Sequence, residues 1–242
     1  MVPRTKTALA SFFENVNEAD ISAQRSSTCT DSASPVTISN NDFDQRNGFV
    51  FIGTGKHAPN NDAVTWLART IWPLLRQQFP DATINVYGSY QTAGIQRFHN
   101  PNEGFFIRGF AEDLTVILDQ ARVLLAPLRF GAGIKGKIVD AWQRGLPVVT
   151  TPIGSEGCTA KVVSLSQYSD CRDDIFRDAV DAASLSGDWG GSGNCLTASD
   201  ICKGAATLHR DEEQWQRAQR NGTSLLRRLF HGKTNLDHVF SL

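Results

Sequence analysis

The sequence predicts an α/β protein with a single Rossmann-like, doubly wound parallel sheet and an irregular N-terminal extension. Five short apolar runs alternate with segments whose apolar residues recur at helical spacing. The runs are continuously apolar, as expected of strands buried on both faces. Right-handed crossovers place the loops that follow such strands along one edge of the sheet, where ligands of these folds bind.

The predicted elements follow one another from about residue 48. The first strand covers residues 49–52 and ends in Gly53. The first helix runs to Leu75, with capping side chains at residues 60–62 and a kink at Pro73. The other strands are predicted at 83–87, 104–107, 122–126 and 146–150, with helices at 112–120 and 134–144 between them.

Both ends of the chain depart from this alternation. Residues 22–41 are rich in Ser and Thr, so residues 1–46 are interpreted as a partly disordered extension or linker and 47–242 as the folded domain. Beyond residue 158 we expect helices at 173–184 and 212–230, the second interrupted at Gly222. The Gly/Ser-rich stretch 186–194 is predicted to be a surface loop.

Composition excludes several function classes. Lys and Arg number 24 against 25 Asp and Glu, which argues against a nucleic-acid partner. No apolar run reaches the roughly 18–20 residues of a membrane span, and the N-terminus lacks a signal-peptide core. The five cysteines show no CxxC spacing, so we expect no metal site, idle thiols and a cytoplasmic location.

The first candidate loop follows the first strand and matches GxGxxG/A. Its residues are Gly53, Thr54, Gly55, Lys56, His57 and Ala58. A dinucleotide site is disfavoured because residues 60–62 place the helix start late and no acid follows Tyr87 to hold a ribose. Two interpretations stay open, a plain connecting turn and a loop whose Lys56, His57 and N–H groups approach a phosphate or sugar.

The second candidate loop joins the fourth strand to the next helix. Gly131 and Gly133 allow close approach of a ligand to the backbone, and the helix N-terminus favours an anion. Arg129, Lys135 and Lys137 add three positive charges, which fits a diphosphate better than a solvated basic turn.

Two acids accompany this loop. Asp140, about two turns into the predicted helix, is placed to accept hydrogen bonds from ribose hydroxyls. Glu156, between Gly154 and Gly157 after the fifth strand, could close over a ligand or simply belong to a strand-to-helix connection.

At these residues the sequence resembles the group 1 (family 4-like) glycosyltransferases. The resemblance is to the C-terminal, nucleotide-sugar-binding half of their GT-B fold and covers about residues 48–230. The segments that carry it are 51–53, 59–60, 109–110, 113–114, 126–137, 145–157 and 209–215.

The resemblance implies a role for each loop. The donor diphosphate and sugar would contact Arg129, Gly131, Ala132, Gly133, Ile134, Lys135 and Lys137, and the ribose would contact Asp140. The base would face Phe110, Asp113 and Leu114, while Gly53, Thr54, Gly55, Lys56, His57 and Glu156 would line the cleft. Such enzymes transfer a sugar from a nucleoside diphosphate donor with retention of configuration, without a metal or other cofactor.

Two departures from the family pattern leave two hypotheses. Ala132 stands eight residues before Asp140, where relatives carry the first Glu of a paired-Glu motif. Residues 1–46 are also too few to form the acceptor domain of a GT-B enzyme. We therefore expect the donor-binding half of a glycosyltransferase that needs a separate acceptor-domain partner or, alternatively, a non-catalytic nucleotide-sugar-binding module.

Overall fold

In the part of the chain that the structure describes, six parallel strands form one sheet in the order β3-β2-β1-β4-β5-β6. The computed structural model describes residues 42–158 and 189–230, all within one compact unit, Val36–Leu242. The strands are β1 Asn47–Ile52, β2 Ile84–Tyr87, β3 Phe105–Gly109, β4 Ala121–Ala126, β5 Val148–Thr150 and β6 Gly191–Ser192. This topology confirms the predicted doubly wound parallel sheet.

Helices cover both faces of the sheet. Those in the described ranges are α1 Ala58–Trp66, α2 Trp72–Gln78, α3 Ala93–Gln96, α4 Leu114–Gln120, α5 Gly136–Gln143, α6 Pro152–Ser155, α7 Ala198–Arg210 and α8 Glu212–Phe230. Short 3-10 turns cover Phe43–Gln45 and Pro101–Glu103. The predicted kink at Pro73 corresponds to a π-helical turn, Leu67–Ile71, that directly precedes α2.

Successive side chains along a strand point alternately into two apolar layers, one on each face of the sheet. Phe49 and Phe51 point into the layer with α1, α2 and α7, whereas Val50 between them points into the layer with α4 and α5. α8 joins both layers, because Trp215 packs in the first and Leu225 in the second. Burial on both faces explains why the strands are continuously apolar.

The predicted surface loop at 186–194 is wrong in part, because Gly191 and Ser192 form β6 beside β5. A Cβ on Gly191 would lie 1.8 Å from the carbonyl oxygen of Val148, so only glycine allows this backbone approach. Two residues are too few to show a strand periodicity, which is why the pattern missed them. The predicted helix at 173–184 lies outside the described residues, and α7 was not predicted.

The predicted interruption of the last helix at Gly222 is also wrong, because α8 runs continuously from Glu212 to Phe230. Gly222 lies against the indole of Trp142, where a Cβ would come within 2.6 Å of Cδ1. The glycine therefore gives the indole room and does not end the helix.

A buried arginine holds the amino-terminal edge of the sheet together. The Arg46 guanidinium donates to the carbonyls of Leu118 (2.7 Å), Ala121 (3.2 Å) and Arg144 (2.7 Å). Burial lowers the pKa of Arg46 to about 10. The folded unit thus includes residues 42–46, slightly before the predicted start at residue 47.

Three cysteines in the described part of the chain, Cys158, Cys195 and Cys202, are buried free thiols. Burial raises the pKa of Cys195 to about 12 and that of Cys202 to about 11. Within residues 42–158 and 189–230, no helix is long and apolar enough to cross a membrane. The same ranges contain no cluster of three His, Cys, Asp or Glu side chains that could hold a metal.

We predict that Gly222→Ala destabilises the protein. In a helix interior, alanine usually makes a protein about 0.5–1 kcal/mol more stable than glycine does. Here the added methyl would overpack against Trp142, which lowers the free energy of unfolding by roughly 1–3 kcal/mol. The midpoint of urea unfolding measures the difference. Gly94→Ala is the control, since its Cβ would meet nothing closer than 3.7 Å. A higher midpoint for Gly222→Ala would contradict the packing described.

We also predict an acid-sensitive step at His209. Its ring lies 5.0 Å from that of Phe49 and 4.5 Å from that of Phe79, and its buried Nε2 has no hydrogen-bond partner among the residues that the structure describes. Burial lowers the pKa of His209 to about 4, and the positive charges of Arg122 and Arg210 make smaller contributions in the same direction.

The pKa of His209 is near 6.5 in the unfolded chain and lower in the folded protein, so the unfolded chain binds the proton more readily. The stability that the neutral ring contributes is therefore fully present above pH 6.5 and is lost as the pH falls toward 4. His209→Phe keeps the aromatic packing and removes the titration, so its unfolding free energy should fall less steeply over this window. If the free energy of unfolding, measured with urea, fell equally with pH in both proteins, His209 would not contribute to the acid sensitivity.

Candidate functional site

The reversal of strand order between β1 and β4 creates a crevice at the carboxyl edge of the sheet. β1 pairs with both β2 and β4, so the chain leaves β1 in one direction and β4 in the other. The loops that follow these two strands, residues 53–57 and 127–135, therefore border the same opening. Both predicted candidate loops lie here.

The helix after the first loop begins earlier than predicted. α1 starts at Ala58, with Pro59 in its first turn, where the fixed φ and missing N–H of proline are tolerated. The Asn60 Nδ2 donates to the carbonyl of Thr54 (3.0 Å) and the Asn61 Nδ2 to that of Gly55 (2.9 Å). These amides brace the loop and do not cap the helix, so the predicted capping role is wrong.

This earlier start removes one of the two arguments against a dinucleotide site. The other remains, because β2 ends at Tyr87 and residues 88–92 contain no acid that could hold a ribose.

The second loop presents an uncapped helix N-terminus. Gly131 (φ 124°) and Gly133 (φ 75°) adopt backbone conformations that favour glycine. α5 begins at Gly136, and no side chain caps it. Its first N–H groups thus attract an anion. Because α5 starts two residues later than predicted, Asp140 lies little more than one turn inside it, not two.

Arg129 is ion-paired with the neighbouring helix. Both of its outer donors, Nε and Nη2, bond to the Asp62 carboxylate, and its guanidinium lies 5.3 Å from the Trp66 ring centroid. The hydrogen bonds to Asp62 raise the pKa of Arg129. Arg129 therefore ties the loop after β4 to α1, and Asp62, interpreted from sequence as a cap, provides the carboxylate.

Lys135 lies at the junction of the loops after β4 and β5. Its side chain is only 9% exposed, and its Nζ donates to the carbonyl of Gly133 at 2.5 Å and lies 3.5 Å from Glu156 Oε2. Ile134 contacts the same loop, since a Cβ on Gly157 would lie 2.9 Å from its Cγ1. Glu156 is therefore brought to the predicted phosphate loop.

Two buried threonines anchor this junction from below. The Thr150 hydroxyl donates to the carbonyl of Ala126 at 2.5 Å, and the Thr151 hydroxyl donates to that of Leu128. Both bonds join the end of β5 to the start of the loop after β4, so the two loops are held as one unit.

Lys137 lies in the first turn of α5, directly after the same loop. Its Nζ donates to Asn60 Oδ1 at 2.7 Å and lies 4.4 Å from the centroid of the Phe51 ring. Burial, followed by the positive charge of Lys135, lowers the pKa of Lys137 to about 7. Asn60 thus links the loop after β1 to the start of α5.

Asp140 is half-buried, and its carboxylate makes no hydrogen bond with any described residue. Burial raises the pKa of Asp140. A half-buried carboxylate without a donor gains from binding a hydroxyl group.

The predicted base wall lies farther along the edge. β3 is three strand spacings from β4, about 14 Å. Phe110 is 73% exposed and Leu114 half-buried. Asp113 instead caps α4, accepting a bond from the Thr115 N–H at 2.7 Å that lowers the pKa of Asp113. A ligand that contacted Phe110 and Lys135 together would have to extend across the ends of β2 and β1.

Sequence reasoning missed Tyr90, in the loop after β2. It adopts a φ of 56°, uncommon for a residue with a side chain, and the residue is 67% exposed. The Lys56 Nζ lies 3.9 Å from the ring centroid, so this lysine is directed toward the β2 side of the crevice. His57, the residue before α1, is exposed and provides no capping hydrogen bond.

A second concavity lies between α2 and α7. It is an open groove of about 630 Å³, and none of its lining residues belongs to the loops at the carboxyl edge. Those residues are Leu74, Gln77, Gln78, Ser199, Cys202, Lys203, Ala206, Thr207, Arg210 and Asp211. The charged loops and the uncapped helix N-terminus make the carboxyl edge the better candidate site.

Comparison with known proteins gives a family match over these loops. The family model described as glycosyl transferases group 1 matches residues 46–173, more than half of the chain. A protein from Klebsiella pneumoniae, described as an uncharacterized 44.6 kDa protein in the cps region, is 27% identical over 131 residues. That alignment covers 48% of this chain and 32% of the relative.

Solved structures share the fold at low identity. A point mutant of S. aureus TarM, whose crystal structure contains Fondaparinux, alpha-GlcNAc-glycerol and UDP, matches with a TM-score of 0.59 at 12% identity over 80% of this chain and 34% of TarM. The C-terminal domain of the group 1 family protein LpcC from Francisella tularensis matches with a TM-score of 0.52 at 13% identity, over 79% and 93% of the respective chains. The chain thus spans about a third of the curated relative and of TarM.

Proposed function

Because the chain belongs to the group 1 glycosyl transferases, we propose that it binds the nucleoside diphosphate sugar donor of a sugar transfer. The observation that carries this proposal is the pair of lysines, Lys135 and Lys137, at the uncapped N-terminus of α5. Two ammonium groups and the helix dipole provide a site for a diphosphate. The UDP in the TarM structure is consistent with this choice of ligand.

The same groups suit the chemistry of transfer. When the bond from the sugar to the diphosphate breaks, negative charge develops on the departing phosphate oxygen. Ammonium groups held near that oxygen stabilise the charge more in the transition state than in the ground state. In this proposal the lysines and the helix dipole supply the charge, so transfer proceeds without a metal and, as the family resemblance implies, with retention of configuration.

Acceptor binding is proposed to need a separate domain. The chain spans about a third of the curated relative it matches and 93% of the isolated C-terminal domain of LpcC. The proposed partner supplies the acceptor site across the crevice from residues 53–57. We propose a cytoplasmic location as well, which is consistent with the buried free thiols of the described region.

The alternative, a non-catalytic nucleotide-sugar-binding module, is favoured by one position. Ala132 stands where the family resemblance places the first acid of a pair, and it is exposed. Glu156 favours catalysis, because its carboxylate reaches the same loop, 3.5 Å from Lys135. Consumption of a UDP-sugar by the chain together with an acceptor-domain partner would support the enzyme; binding without consumption would support the module.

We predict that Lys135→Ala weakens UDP binding by about 1–3 kcal/mol, or roughly 5- to 150-fold in Kd, the range for losing a charge-assisted hydrogen bond. Isothermal titration calorimetry with UDP measures the change. Lys203→Ala is the matched control, since it removes the same charge from α7. Unchanged affinity in a folded Lys135→Ala protein would refute the phosphate assignment.

A second prediction concerns Asp140 and the ribose. If its carboxylate accepts a hydroxyl hydrogen bond, wild-type protein should bind 2′,3′-dideoxy-UDP about 1.5–3 kcal/mol more weakly than UDP. Asp140→Ala should bind both ligands equally, because the acceptor is already gone. The comparison is a double-mutant cycle measured by titration calorimetry. If both proteins lost the same affinity on going from UDP to 2′,3′-dideoxy-UDP, the ribose hydroxyls would not contact Asp140.

A further inference from the structure

Asn60 joins the loop after β1 to the first turn of α5 through both ends of its side-chain amide. Its Oδ1 accepts a hydrogen bond from Lys137 Nζ at 2.7 Å, while its Nδ2 donates to the carbonyl of Thr54 at 3.0 Å. Gly53 makes room for this amide, since a Cβ there would lie 2.6 Å from Asn60 Cγ. The φ of Gly53 lies outside the left-handed region, so the space itself explains the glycine.

We propose that Asn60 is a positioning residue for donor binding, whose amide holds the ammonium of Lys137 at the junction of the loops after β1 and β4. This inference rests on the proposed function, because it concerns how a diphosphate-binding lysine is held. Asn60 is proposed to act through Lys137, because its amide oxygen bonds to Lys137 and its amide nitrogen to Thr54.

The charges around Lys137 explain why the acceptor is an amide. Glu156, from the loop after β5, lies beside Lys135, and Asp62 on α1 is bonded to Arg129. On β1, the ring of Phe51 lies 4.4 Å from the Lys137 Nζ. The charged group that perturbs its ammonium is Lys135.

A neutral oxygen fixes the direction of the Lys137 ammonium without cancelling its charge. A carboxylate at residue 60 would orient the ammonium equally well, but it would repel a diphosphate and compete with it for the lysine. The Asn60 amide therefore adds no negative charge beside Lys137, so it does not neutralise the protonated ammonium that an anion would bind.

Two substitutions at Asn60 should move the titration of Lys137 in opposite directions. Asn60→Asp places a negative charge beside the ammonium and should raise the pKa of Lys137, whereas Asn60→Ala removes an acceptor from the charged form and should lower it further. A role limited to loop support predicts no such opposition. Asn61→Ala is the matched control, because it removes the neighbouring amide, which braces Gly55 without contacting Lys137.

The first measurement is calorimetric titration with UDP between pH 7 and 9.5, where the terminal phosphate stays ionised. Wild-type affinity should fall with pH by up to about tenfold per unit as Lys137 loses its proton. Asn60→Ala should weaken binding about tenfold at pH 7. Asn60→Asp should bind more weakly at pH 7 and move the decline to higher pH, while in Asn61→Ala the decline should stay at the same pH as in wild type. Superimposable profiles for all four proteins would overturn the inference.

The second measurement follows the side-chain NMR signal of Lys137, assigned with Lys137→Arg, through a pH titration without nucleotide. Opposite shifts of its midpoint in Asn60→Asp and Asn60→Ala are expected, and identical midpoints would overturn the inference whether or not UDP binds. If the midpoints move but wild-type protein does not bind UDP, the proposed function fails, and the role in donor positioning fails with it.

Discussion

The adjacency of β1 and β4, where the strand order reverses, is the constraint on which the rest of the site depends. Parallel pairing brings the carboxyl ends of both strands to one edge, and the reversal sends their following helices to opposite faces. Only this arrangement lets α1, at residues 60–62, meet the loop that begins after Ala126. The contacts between the two loops are therefore a consequence of topology and not of sequence proximity.

The three cationic side chains of the crevice have different hydrogen-bond partners. Arg129 is bonded to a carboxylate, Lys135 lies between a carbonyl and Glu156, and Lys137 is bonded to a neutral amide beside an aromatic ring. The three cations that the sequence groups together are thus electrostatically different. Arg129 ties the loop after β4 to α1, whereas the two lysines flank the uncapped start of α5.

The sequence predicts the fold well because buried parallel strands and their helices leave local patterns. It fails where the reason is a distant contact. Gly222 was interpreted as a helix break because its neighbour Trp142 is 80 residues away in the chain. Asn60 was interpreted as a cap because asparagine near a helix start usually is one, yet its partner Lys137 is 77 residues away. β6 escaped detection because two small residues carry no period.

Backbone NMR shift mapping of the isotope-labelled chain during titration with UDP tests whether a nucleoside diphosphate binds at the β1–β4 crevice. The largest saturable shift changes are expected in residues 53–57 and 131–137. Saturable changes confined to the groove between α2 and α7, or no changes at millimolar UDP in the folded protein, would contradict binding at the crevice.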